Sequence, residues 1–161
     1  MEASPNRINH LRKVFLRSDF QGGLMRDIKI FLAVIPLFLL LDYIWLGNAM
    51  KGFYLRELGP LVRGDGTNIN PRLLAAAGVY LALVGGIIVF ALPRVDPLRP
   101  LVSGLLWGAL YGITVYAVYD LTNRATLTHW PLRLAAVDIC WGGFLCAVVT
   151  AFASILRGRL A

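Results

Sequence analysis

Four uninterrupted apolar runs, over residues 28–48, 73–92, 101–121 and 132–156, constrain this chain more than any other feature of it. Each approaches the ~20 residues that a helix needs to cross the ~30 Å hydrocarbon core of a bilayer. A membrane β-strand needs about half that number, so the run lengths exclude a closed barrel. The amount of apolar material excludes a soluble fold: 58% of the 161 residues are hydrophobic and 16% are charged, more than one core of this size can hide. The expected fold class is all-α, an integral membrane bundle of four transmembrane helices, with lipid as the solvent for most of its surface.

The connections differ in kind. Residues 49–72 form a long one and 122–131 a polar one, while 93–100 holds Pro93, Pro97 and Pro100, whose missing N–H groups stop helices. Pro36 is expected to kink the first span. Residues 1–27, with Arg7, Arg12, Lys13, Arg17 and Arg26 and no sustained apolar periodicity, read as a basic N-terminal tail or surface helix ahead of a transmembrane domain over 28–161. The first apolar run is too long for a signal-peptide core and lacks a small-x-small cleavage site, so it is expected to stay as an anchor. Met25, followed by Arg26-Asp27-Ile28-Lys29, offers an alternative translation start.

The net charge of +7 does not point to nucleic acid, because the basic residues lie between and outside the apolar runs, where anionic headgroups and the positive-inside bias place them. Ten Lys and Arg fall in the N-terminal segment through Lys29, the second connection and the C-terminus, against six in the first connection and the third through Arg133, which favours both termini in the cytoplasm.

Three carboxylates sit within or at the edge of apolar runs: Asp42, Asp120 and Asp138. Each costs about 2.5–3.5 kcal/mol at a helix centre, so each needs protein or water to face and a partner to bond. Antiparallel threading carries all three toward the same membrane face. That face also collects Trp45, Tyr119, Thr122, Asn123 and Trp130, together with Arg124, Thr126, His129 and the loop residues Phe53, Tyr54 and Arg56. Asp42-x-x-Trp45-x-Gly47 and Asp138-x-x-Trp141-x-Gly143 repeat one pattern in the first and fourth spans, and the Asp and Trp of each lie on one helix face. Spans that run antiparallel with a shared motif fit an approximate two-fold axis in the membrane plane. These nine residues, Trp141 included, are the candidate ligand or proton site. A structural reading stands beside it, in which the acids lock helices through Arg124, Arg56 or Asn123 and the aromatic residues form the interfacial belt.

Gly104-x-x-x-Gly108-x-x-x-Gly112 marks a packing seam on the third span, or a homodimer face. Cys140 and Cys146, six positions apart, point to different helix faces and are expected to be unpaired packing residues. With only His10 and His129 as histidines, no metal site is expected. No P-loop, Cys-x-x-Cys, Gly-x-Ser-x-Gly or dinucleotide fingerprint appears, so no cofactor is expected, and Gly64-x-Gly66 is a turn signal.

At Leu41-Asp42-Tyr43-Ile44-Trp45-Leu46-Gly47, at Phe53-Tyr54 with Leu58-Gly59-Pro60-Leu61, at Tyr116-Ala117-Val118-Tyr119-Asp120-Leu121-Thr122-Asn123 with Ala125-Thr126-Leu127, and at Trp130-Pro131 with Asp138, Trp141 and Gly142, the chain resembles a bacterial family of small four-span membrane proteins, domain-of-unknown-function family 2177. The resemblance covers about residues 25–156. It implies a multi-pass protein of the cell inner membrane and brings no established activity.

The residues thus leave open whether this is an enzyme. The leading reading is a small transporter, or a protein that binds a lipid or small amphipathic ligand between Trp45 and Trp141, with Asp42, Asp120 and Asp138 as proton or cation partners. A membrane enzyme of lipid modification, with an Asp as general base assisted by Tyr119, Asn123 or His129, is the alternative. A third reading is a scaffold that docks another membrane protein on the glycine face.

Overall fold

A computed structural model of the chain describes the backbone of residues 5–160 and the side chains of residues 22–160. The expected basic segment over 1–27 therefore falls largely outside the described side chains. Its backbone is helical from Pro5, continuous with the first span.

Five helices make up the described chain: α1 (Pro5–Ile44), α2 (Lys51–Leu58), α3 (Leu73–Gly86), α4 (Pro100–Thr126) and α5 (Leu132–Arg159). α1 runs on into a π-helical turn, Trp45–Ala49, and α3 into a second, Ile87–Ala91, followed by a 3₁₀ turn at Leu92–Arg94. Four segments are long and apolar enough to cross a membrane: Gly22–Ala49, Leu73–Arg94, Pro100–Thr126 and Leu132–Arg159. These match the four apolar runs and extend each of them by two to seven residues in total. The helices of 27 and 28 residues rise roughly 40 Å, which carries their ends through the headgroup layer. α1 is unbroken through Pro36.

Each span except the fourth is mostly lipid-facing. In the most apolar window of α5, 61% of residues are buried, against 17–22% in the other three, so α5 is the post around which the others stand. α4 lies closest to it. Gly104, Gly108 and Gly112 admit the α5 backbone so closely that a Cβ at Gly108 would stand 2.3 Å from the Cys146 carbonyl oxygen, and one at Gly112 2.1 Å from that of Gly142. α5 reciprocates at Gly142, which receives the Tyr116 ring, and at Gly143, which receives Ile113. The glycine seam is therefore filled within the chain, which corrects the reading of it as a dimer or scaffold-docking face.

α1 lays Ile30, Val34 and Phe38 into the bundle at four-residue spacing, and Asp42 is the next member of that buried stripe. α3 meets α4 where Gly86 makes room for Tyr111, whose hydroxyl donates to the Leu83 carbonyl at 3.3 Å. At the end away from the acids, Arg157 donates to the carbonyls of Leu92 (2.6 Å) and Val95 (3.2 Å), satisfying the frayed end of the second span. Cys146 is buried and Cys140 exposed, both unpaired.

The long connection is ordered by short-range chemistry. Phe53 and Tyr54 anchor α2 against Leu134 of α5. Beyond it, Gly64 and Ile69 pair across a turn in which Asp65 Oδ1 accepts from the Thr67 and Asn68 amides, with Gly66 at φ +85°. These hydrogen bonds hold the Asp65 carboxyl well below the usual carboxylate range.

Candidate functional site

The site grows from the crossing of α1 and α5, where the two Asp-x-x-Trp patterns meet. Asp42, buried at 6% exposure, accepts the indole N–H of Trp141 on Oδ1 (3.0 Å) and the phenol of Tyr80 on Oδ2 (2.8 Å). Asp138 accepts the Tyr54 hydroxyl on Oδ1 (2.5 Å), and that hydroxyl in turn accepts the Trp45 indole N–H (3.2 Å). Each motif's carboxylate is thus bonded from the other motif's tryptophan, directly in one direction and through Tyr54 in the other. The two indoles themselves stack face to face, centroids 4.3 Å apart and planes within 2° of parallel. That stack fills the space between the rings, so the expectation of a ligand held between Trp45 and Trp141 is corrected: a ligand has room only beside them.

Trp45 opens the π-helical turn, whose i to i+5 bond joins the Met50 amide to the Trp45 carbonyl at 2.8 Å. The wider turn shifts the register between Asp42 and the start of α2, and such turns often accompany functional sites. Burial, and then the adjacent Asp138 carboxylate, push the Tyr54 phenol above its ordinary value, so it stays protonated as a donor.

Asp120 of α4 is fully buried, and its Oδ1 accepts the Trp130 indole N–H at 3.1 Å. The α4–α5 seam, which seats Gly112 against Gly142 and Cys146 and Tyr116 on Gly142, continues in register to set Asp120 opposite Asp138. Tyr119 meets Trp130 edge to face at 5.8 Å, and Asn123 is half-buried one turn further along α4. Thr122 is exposed and outside the cluster.

The expected cationic partners are absent. Arg124 donates to the Trp130 carbonyl (2.9 Å) and Arg56 is exposed; among the described residues the one ion pair is Arg26 with Asp27, at 3.8 Å. The acids are held by uncharged aromatic donors instead. No cluster of three or more His, Cys, Asp or Glu that could hold a metal occurs among the described residues.

Beside the stack lies a cavity of about 980 Å³. Its walls come from every span and from the first connection; Leu39, Leu83, Val115 and Leu134 represent the apolar majority, and Asp42 and Asp138 are its two acids. Tyr54, Tyr80, Tyr116 and Tyr119 also face it. Tyr43, Val79 and Tyr119 on its rim are exposed, so it opens sideways between the spans. His129, considered as an assisting base, is exposed and does not line it.

Of the nine residues singled out from sequence, the structure gathers Asp42, Trp45, Asp120, Asp138, Trp130 and Trp141 into one cluster, in which each acid accepts from its own aromatic donors, places Tyr119 and Asn123 at its edge, and leaves Thr122 outside. Tyr80 and Tyr116 were not singled out as site residues, and Tyr54 only as a member of the same face. Their signal was slight: Tyr80 and Tyr116 lie in apolar runs and Tyr54 in a charged connection, placements shared with tyrosines of the interfacial belt.

Fold and site together define a multi-pass, all-helical membrane protein with a buried network of carboxylates and aromatic donors at one end of the bundle. The chain matches the family described as predicted membrane protein (DUF2177) over residues 27–155, and it belongs to that family. No curated protein and no solved structure matches it.

Proposed function

We propose that the protein binds an amphipathic small molecule, lipid-derived or lipid-like, with its chain along the apolar walls of the cavity and its head at Asp42 and Asp138. The observation that carries this reading is the cavity itself: about 980 Å³, apolar over most of its lining, open between spans, and ending on two carboxylates that have no basic partner among the described residues. A water-soluble solute gains little from such walls, whereas a hydrocarbon chain entering from the bilayer finds walls as apolar as the lipid it leaves. Carboxylates without a cation repel a phosphate or carboxylate head. They favour a cationic or hydroxyl-bearing one, and the surrounding aromatic rings favour the cation further. The working site lies toward the face opposite the termini, which the charge bias puts on the far side of the inner membrane.

Comparative lipid mass spectrometry of wild-type, deletion, and Asp42→Asn and Asp138→Asn complemented strains tests the reading. An amphiphile that accumulates or disappears in the deletion, and stays wrong with either Asn variant, is the expected result. A lipid profile unchanged by the deletion contradicts it.

A further inference from the structure

Asp120 is more deeply buried than any other acid in the cluster, and its two oxygens differ. Oδ1 accepts the Trp130 indole N–H, whereas no N–H or O–H donor reaches Oδ2. A buried carboxylate oxygen without a donor is strongly disfavoured, yet the group that the α4–α5 seam sets opposite it is another carboxyl, Asp138. Two ionised carboxylates facing each other across the seam repel; one carboxylic acid beside one carboxylate attract, because the acid supplies the missing donor.

The groups that face the pair offer no other compensation. From α2 comes the Tyr54 hydroxyl, from α1 the Asp42 carboxylate, from α4 Tyr116 and Tyr119, and from the third connection Trp130. None is cationic, and Arg124, the nearest basic residue in sequence, is turned to the Trp130 carbonyl. A metal cation fits poorly as the bridging charge, because calcium takes six to eight oxygens and magnesium an octahedron, and no third metal-ligating acid, His or Cys joins the pair among the described residues. A proton needs only the two oxygens.

We infer that Asp120 and Asp138 form a proton-binding site inside the membrane span, holding one proton between them at neutral pH. Asp138 lines the cavity and Asp120 lies behind it, so the proton sits on the cavity's inner wall, between the ligand space and the α4–α5 interface. Asp42 does not belong to this site, since both of its oxygens already accept a donor, from Trp141 and Tyr80. The inference stands on the carboxyl pair alone and does not depend on what occupies the cavity.

Infrared spectroscopy of the full chain in lipid nanodiscs at pH 7 tests it. The wild type should show the carbonyl stretch of a protonated carboxylic acid, shifted on transfer to D₂O. Asp120→Asn, which keeps the side chain's shape and offers its own N–H donors to Asp138, should lose that band completely. Asp138→Asn should lose it as well, which provides a second reading should one variant fold poorly, while Asp42→Asn should retain it. A wild-type spectrum without a protonated carboxyl band, or one whose band survives in both Asp120→Asn and Asp138→Asn, overturns the inference.

Discussion

Asp42 accepts one O–H and one N–H in a pocket almost closed to solvent, and its cost in the membrane is met by Tyr80 and Trp141 without any basic residue. Removing one donor strands a buried carboxylate oxygen, so Tyr80→Phe should lower stability by about 1–3 kcal/mol. Tyr43→Phe, beside Asp42 in the first span but 68% exposed, should be close to neutral. Denaturant titration in detergent micelles distinguishes them, and equal effects would contradict the role assigned to Tyr80. Tyr54 adds a pH dependence. Its phenol is raised in the folded state, so above pH ~10 the unfolded chain releases a proton that the folded chain keeps, and stability falls as pH climbs. The fall should be shallower in Tyr54→Phe. At this scale the sequence shows Asp42, Asp120 and Asp138 clearly, since acids are rare in apolar runs, but it misleads about their partners. Charge pairing points to Arg124 and Arg56. The donors are tyrosines and tryptophans, whose presence near a membrane interface needs no special explanation and therefore conveys little.

Among the elements, the spans themselves were legible from the length of the apolar runs, and their ends less so. Expected boundaries at 121 and 156 fall short of Thr126 and Arg159, because a helix continues into the headgroup layer with residues that hydropathy counts as polar. The π-helical turns at Trp45–Ala49 and Ile87–Ala91 left no mark in the composition. The glycine repeat of α4 was visible, but not its partner, since a small-residue face serves a helix of the same chain as readily as one from another. Gly108→Ala puts a methyl group into the Cys146 carbonyl and Thr150, and should destabilise by about 1–3 kcal/mol. Gly78 in α3 has nothing within 4 Å of the corresponding position, so Gly78→Ala should be neutral or gain up to ~1 kcal/mol from helix propensity. Thermal unfolding in detergent compares the two; a tolerated Gly108→Ala would contradict the tight α4–α5 seam.

In the whole molecule, α5 is the common support, and the site forms where α1 crosses it at the end carrying the long connection. That arrangement was beyond the reach of sequence periodicity, because four apolar spans of similar composition can be ordered around one another in several ways. The Asp-x-x-Trp repeat was the one clue, and the crossed bonding from Trp141 to Asp42, and from Trp45 through Tyr54 to Asp138, gives it a physical meaning. The charge bias adds a topology: a cysteine placed at Thr67 should react with a membrane-impermeant maleimide in intact cells, and one at Gly158 should not. The reverse pattern would invert the orientation and put the acids at the cytoplasmic face.

Under the proposed function, an amphiphile occupies the cavity with its head at Asp42 and Asp138. Native mass spectrometry of the purified protein, released from nanodiscs made with native lipid extract, tests it directly. Wild type should retain a bound amphiphile of one chemical class. Ala76→Phe, which narrows the cavity without touching an acid, and Asp42→Asn, which alters the head site without narrowing it, should each lose it. The same lipid occupancy in all three proteins, or no retained amphiphile in the wild type, would contradict the account.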